Sequence, residues 1–168
     1  MKMKKIFFIT GLFIILLLTA CASETAKELV EYHNSYLNNV NSKGQELDKI
    51  IKKSLNTSTP TEAYQLQKEK AMPIVKEVEE YINSQDPKTD IVKELHQMRL
   101  EQFKLWHEGI QLKFQAVKKM GNQSVSQQET KDIIEESNRI LKDAMELGKK
   151  ADNKFLESAD EHGLELEE

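Results

Sequence analysis

The sequence predicts an all-α fold, an up-down-up-down antiparallel four-helix bundle that occupies residues 21–168 as a single domain. Two observations carry this expectation. Apolar residues recur three and four apart through four long stretches, the spacing that gathers them on one face of a helix. Those stretches are separated by short runs holding N-cap residues, prolines and a glycine, and short turns make consecutive helices antiparallel neighbours. A charged fraction of 31%, with the prolines limited to Pro60, Pro73 and Pro87, suits long solvated helices better than sheets.

Ahead of the bundle, residues 1–20 read as a cleaved signal peptide. Lys2, Lys4 and Lys5 precede an uncharged run from Ile6 to Leu18. That run falls short of the roughly 20 apolar residues a spanning helix needs. It ends in Leu18-Thr19-Ala20-Cys21, an aliphatic residue, two small residues and a cysteine, which resembles the lipobox of bacterial lipoproteins. The resemblance implies transfer of a diacylglyceryl group to the Cys21 sulfur and cleavage after Ala20. The mature chain is then lipid-anchored on the extracytoplasmic side of the cell membrane. Cys21 is the only cysteine, so no intrachain disulfide and no cysteine redox pair can form.

The first helix is expected over about 24–55, with Leu29, Tyr32, Tyr36, Leu37, Val40, Leu47, Ile50, Ile51 and Leu55 on its stripe. Thr59-Pro60-Thr61-Glu62 combines an N-cap, a first-turn proline and a capping-box glutamate, and opens a second helix over 60–83. Pro73 lies inside that helix and predicts a kink. Asp86-Pro87 repeats the cap-plus-proline pattern at the head of a third helix over 87–120, which stops at Gly121. Its apolar face is the widest of the four. Ser126 and Glu129 form another capping box, opening a fourth helix over 126–159, beyond which the acidic tail is expected to fray.

Charge narrows the function classes. The signal segment takes three of the 24 basic residues and none of the 28 acidic ones, so the mature chain is more acidic than the whole chain at −4. Nucleic-acid binding is disfavoured, and an anionic lipid surface would repel such a body. The residues three before His33, His96, His107 and His162 are Val30, Lys93, Lys104 and Ala159, so the Glu-x-x-His pattern of di-metal bundles is missing. No metal site or cofactor is expected, and the histidines are assigned to the surface or rim. No GxSxG elbow, SxxK motif or phosphate-cradling glycine loop occurs, and the carboxylate pairs read as solvated faces, so no catalytic residue is assigned.

One level of the bundle is singled out. Counting along the helices brings Gly44, Ala71, Gly109 and Ser137 to a common depth, close to Pro73, Phe103 and Trp106. Glycine inside a helix costs about 1 kcal/mol relative to alanine, so this level predicts close helix approach, or a cavity for a small ligand, or a bend.

With the first helix starting near Glu24, two or three residues separate Cys21 from the folded body, and the bundle should ride on the outer face of the membrane. The expected role is a non-enzymatic interaction module, bound to the membrane through the Cys21 lipid and to a membrane or surface protein. A small-ligand-binding or sensing bundle is the second reading. In overall format the chain is also similar to the small helical lipoproteins of Gram-positive bacteria described as cell-wall-binding, which implies a cell-wall-associated role.

Overall fold

A computed structural model describes residues 23–54, 56–121 and 126–164. The expected signal segment and Cys21 lie outside the described residues. The fold is all-helical, with four helical rods and no strand among the described residues. Rod 1 joins α1 (Glu24–Tyr36) and α2 (Ser42–Ser54) through a π-helical turn, Leu37–Asn41; rod 2 joins α3 (Pro60–Leu66) and α4 (Met72–Ser84) through another, Gln67–Ala71. Two uninterrupted helices follow, α5 (Asp90–Met120) and α6 (Gln127–Glu161).

The starts of the rods follow local capping chemistry. Ser23 Oγ accepts from the Ala26 N–H at 3.2 Å, Thr59 Oγ1 from Glu62 at 3.2 Å and Ser126 Oγ from Glu129 at 3.0 Å. Glu62 reaches back to the Ser58 N–H at 3.1 Å, one residue ahead of the N-cap, so the expected box forms in a shifted version at the head of rod 2.

The third helix begins later than the Asp86-Pro87 pattern predicts. Thr89 is the N-cap of α5, and Gln85 closes α4 in extended conformation. The cause is tertiary: the Glu28 carboxylate of α1 accepts from the Lys88 N–H at 2.5 Å and from the Thr89 N–H at 2.8 Å. These are amides that a helix starting at Pro87 would carry in its first turn, and the carboxylate takes over the role of a cap.

The kink expected at Pro73 takes the form of the π turn just ahead of it. Proline lacks an N–H, and its ring crowds the carbonyl of Glu69 four residues back. The Met72 N–H instead donates to the Gln67 carbonyl, five residues back, and the extra residue relieves the crowding. The π turn in rod 1 has no proline. There the Ser42 N–H donates to Leu37, while the Asn39 and Ser42 side chains bind the carbonyls of Ser35 and Asn38, side-chain competition that loosens the regular ladder.

The most extensive packing joins α5 and α6, and residue numbers fall along one as they rise along the other. Lys154 meets Glu94, Asp152 meets Arg99, Ser137 meets Gly109 and Glu129 meets Lys119. On α6 every seventh residue of the contact is small and buried: Thr130, Ser137, Ala144, Ala151 and Ser158. Small residues at one heptad position let two backbones approach closely.

Rods 1 and 2 pair in the same opposed sense through Ser35 with Tyr81, Lys43 with Glu77 and Ser54 with Gln67. Two apolar clusters fill the interior. Leu29, Val30, Val92, Leu95, Ala151 and Phe155 belong to one near the base, the end where α1 starts. Leu47, Ala71, Val75, Val78, Ile110 and Phe114 belong to the other, toward the tip.

The acidic end expected to fray after Ala159 is ordered as far as Leu164. The Leu164 N–H donates to the Ala159 carbonyl and the Gly163 N–H to Asp160, both at 2.9 Å, with Gly163 at φ 66°. This is a Schellman stop, and Leu164 packs back on the base cluster.

Candidate functional site

The least ordinary feature of the interior is a charged side chain. Arg99 lies on the apolar stripe of α5, one turn beyond Leu95, and its side chain is only 5% exposed. Its guanidinium donates to the Asp152 carboxylate of α6 at 2.5 Å, to Gln102 Oε1 at 3.0 Å and toward the Gly148 carbonyl at 3.5 Å. It also lies over the Tyr36 ring of α1, 4.3 Å from the centroid. The Tyr36 hydroxyl donates to the same Gln102 oxygen at 3.4 Å, so one amide ties the cation to its aromatic floor. Gly148 leaves room for this arrangement, since a Cβ there would meet Gln102 Nε2 at 2.5 Å.

Histidine and tyrosine side chains surround this core. His33 is buried and stacks on Phe155 with centroids 3.7 Å apart and planes 6° apart. Burial, and then the positive charge of Arg99, push its pKa down to about 4, against the opposing pull of Asp152. Burial also raises the Tyr32 and Tyr36 phenols above their usual range. The Tyr32 hydroxyl and His96 Nδ1 share a hydrogen bond of 3.1 Å, and burial lowers the His96 pKa.

His33 corrects the expectation that the histidines sit at the surface or rim: it follows Tyr32 on α1 and turns into the base core. His96 and His107 are partly buried, and His107 Nε2 is 2.8 Å from Gln111 Nε2. Among the described residues no three His, Cys, Asp or Glu side chains gather as a metal ion would require.

The level picked out from the sequence divides. Gly109 and Ser137 meet, with Ser137 Oγ donating to the Gly109 carbonyl at 2.7 Å. A Cβ on Gly109 would lie 2.6 Å from Leu141 Cγ, so this glycine serves close approach of α5 and α6. Ala71 and Phe103 are in the tip cluster, with Trp106 packed against it. Pro73 sits in the first turn of α4, directly after the π turn. Gly44 stands apart, because a Cβ there would have nothing within 4 Å. Cys21 lies outside the described residues.

Two open grooves mark the surface. One runs along the outer face of α5 past Lys104, His107, Glu108, Gln111, Leu112 and Gln115. The other lies between rod 2 and α5, where Tyr64, Lys68 and Met72 face Gln111, Gln115 and Lys118. No described helix is long and apolar enough to cross a membrane.

Arg99 had a signal in the sequence. Only Arg99 and Arg139 are arginines among 24 basic residues, and Arg99 falls on the helical repeat of Leu95 and Phe103. A planar guanidinium suits a buried, multiply bonded cation better than an ammonium does, so a rare arginine on an apolar stripe points inward.

No family model matches the chain, and neither a curated protein nor a solved structure matches it.

Proposed function

We propose that the chain is a lipid-anchored extracytoplasmic bundle, with its rods in up-down-up-down order, that works as a non-enzymatic interaction module at the outer face of the membrane. The single observation that carries this reading is the short distance between Cys21 and the folded body. Ser23 is already the N-cap of α1, so only Ala22 stands between it and the lipobox cysteine. At about 3.5 Å per residue the tether is shorter than about 10 Å.

The up-down order is supported by the opposed pairing within rods 1 and 2 and within α5 and α6. It is also supported by contacts of α1 with α5, in which Glu28, Tyr32 and Tyr36 meet Thr89, His96 and Gln102 in the same direction. The polar groups of the Arg99 cluster are spent on one another, and the exposed helical faces remain for a partner.

Cell fractionation tests the anchor. Cys21→Ser should release the chain from the membrane with its helicity intact, as judged by circular dichroism. Retention of the variant in the membrane after a high-salt wash would overturn the reading.

A further inference from the structure

The two grooves share Gln111 and Gln115 and so form one track along α5, from Lys104 to Lys118. Fourteen residues of helix give it a length of about 21 Å. Lys68 and Tyr64 face its upper part from rod 2, and Lys118 Nζ lies 5.6 Å from the Tyr64 ring centroid. Lys68, Lys104 and Lys118 are exposed and form no ion pair among the described residues. Of the nearby carboxylates, Glu62 meets Ser58, Glu69 meets Gln65 and Glu129 meets Lys119, while Glu108 lines the track itself.

The wider charge distribution agrees. The segments around the track, residues 40–76 and 104–121, hold eleven lysines against five carboxylates. The other described segments, 23–39, 77–103 and 126–164, hold ten basic side chains against twenty acidic ones. The acidic excess therefore lies mostly outside these segments, with Lys43 and Lys76 pairing with Glu77 and Glu80 across the boundary.

We propose that this track binds a linear anionic polymer of polyol or sugar units linked through phosphates. The lysines would meet the phosphates, the Gln111 and Gln115 amides the hydroxyls, and the Tyr64 ring the face of a unit. A protein partner fits less well, since lysine is depleted from protein interfaces and Phe114, the track's largest apolar side chain, is buried rather than offered as an anchor. An anionic lipid surface lies at the other end under the anchored reading. The proposal rests on that reading only for where the polymer is met.

The test uses the full mature chain in detergent micelles, with poly(glycerol phosphate) as probe and inorganic polyphosphate as a polymer with charge but no hydroxyls. Poly(glycerol phosphate) should bind more tightly than polyphosphate, and its affinity should fall steeply with salt. The triple variant Lys68→Gln, Lys104→Gln, Lys118→Gln should bind at least about tenfold more weakly. Gln111→Ala should narrow the preference for the hydroxylated polymer. Lys149→Gln with Lys150→Gln, on α6, should leave binding unchanged, and circular dichroism should be the same for all. The proposal is overturned if the wild-type chain fails to bind, if the track and α6 variants lose equally, if polyphosphate binds as well as poly(glycerol phosphate), or if only anionic vesicles bind. Because this assay is independent of Cys21, its failure is distinguishable from failure of the anchor.

Discussion

Arg99 and Asp152 form an ion pair of unequal burial: the guanidinium side chain is 5% exposed and its carboxylate partner 60%. The cation has given up its water, whereas the anion keeps most of its own. Removing one member is therefore a different experiment from removing the other.

Asp152→Ala leaves a buried guanidinium without its counter-ion and should lower the unfolding free energy by about 2 kcal/mol, below the 3–5 typical of a fully buried pair because Asp152 is solvated. Arg99→Met with Asp152→Ala should recover most of that loss, since an unbranched apolar chain of similar length replaces the stranded charge. Urea denaturation of the two variants decides it. If the double variant is the less stable, the guanidinium acts through its contacts with Tyr36 and Gln102 more than through its charge.

His33 makes stability depend on pH. Its pKa is about 4 in the folded chain and about 6.5 when unfolded, so the unfolded state takes up the proton first. Its contribution is fully present above about pH 6.5 and is lost progressively as pH falls toward 4, by an amount on the order of 3 kcal/mol. Glu28 acts lower on the scale. Burial raises its pKa, but hydrogen bonds from Thr89 and Lys88 outweigh this and hold it below the usual value, so its contribution fades as its folded pKa is approached. His33→Phe keeps an aromatic ring against Phe155 and should flatten the stability profile between pH 4 and 6.5. An unchanged slope would mean that other groups set it.

The two glycines expected to be equivalent should respond in opposite directions to alanine. Gly44→Ala adds a methyl where nothing lies within 4 Å and should raise stability by about 0.5–1 kcal/mol through helix propensity. Gly109→Ala drives a methyl to 2.6 Å from Leu141 Cγ and should cost about 1–3 kcal/mol. Thermal melts of the two variants provide the comparison. A neutral Gly109→Ala would mean that the Leu141 side chain or the α5–α6 contact yields at little cost.

Gln67, in the π turn of rod 2, is buried against α2. Its Nε2 donates to Ser54 Oγ at 2.9 Å while its Oε1 has no partner. A buried acceptor without a donor costs about 1–3 kcal/mol. Gln67→Met removes it at nearly constant volume, and Ser54 Oγ keeps its own bond to the Ile51 carbonyl at 2.8 Å. The variant should be as stable as wild type or more so in urea, and a loss above about 1 kcal/mol would count against this account.

Local patterns in the sequence carried most of the fold. The Thr59 and Ser126 caps, the apolar repeats and Gly121 are short-range signals, and the rods begin and end within a residue or two of them. The start of α5 escaped because its cap is Glu28, about sixty residues away along the chain. The π turn before Pro73 was legible as a disturbance but not as an added residue, and the turn at Leu37–Asn41 had only its asparagines to announce it. In the interior, Gly109 and Ser137 could be matched by depth, whereas the Arg99 cluster could not. Its members come from α1, α5 and α6, and only packing brings Tyr36, Gln102 and Asp152 to one guanidinium.

The π turns bear on how chain length can vary. A helix that takes in one residue too many keeps both ends in phase only by bulging, and Leu37–Asn41 and Gln67–Ala71 have the geometry of such a one-residue excess. The first contributes no buried residue, and each of its flanks belongs to a different apolar cluster. A related chain one residue shorter at that point would carry a plain helix there and leave both clusters intact. Alignment gaps between this chain and any descendant or ancestor are accordingly expected inside rods 1 and 2, at these two points, as well as in the turns that join the helices.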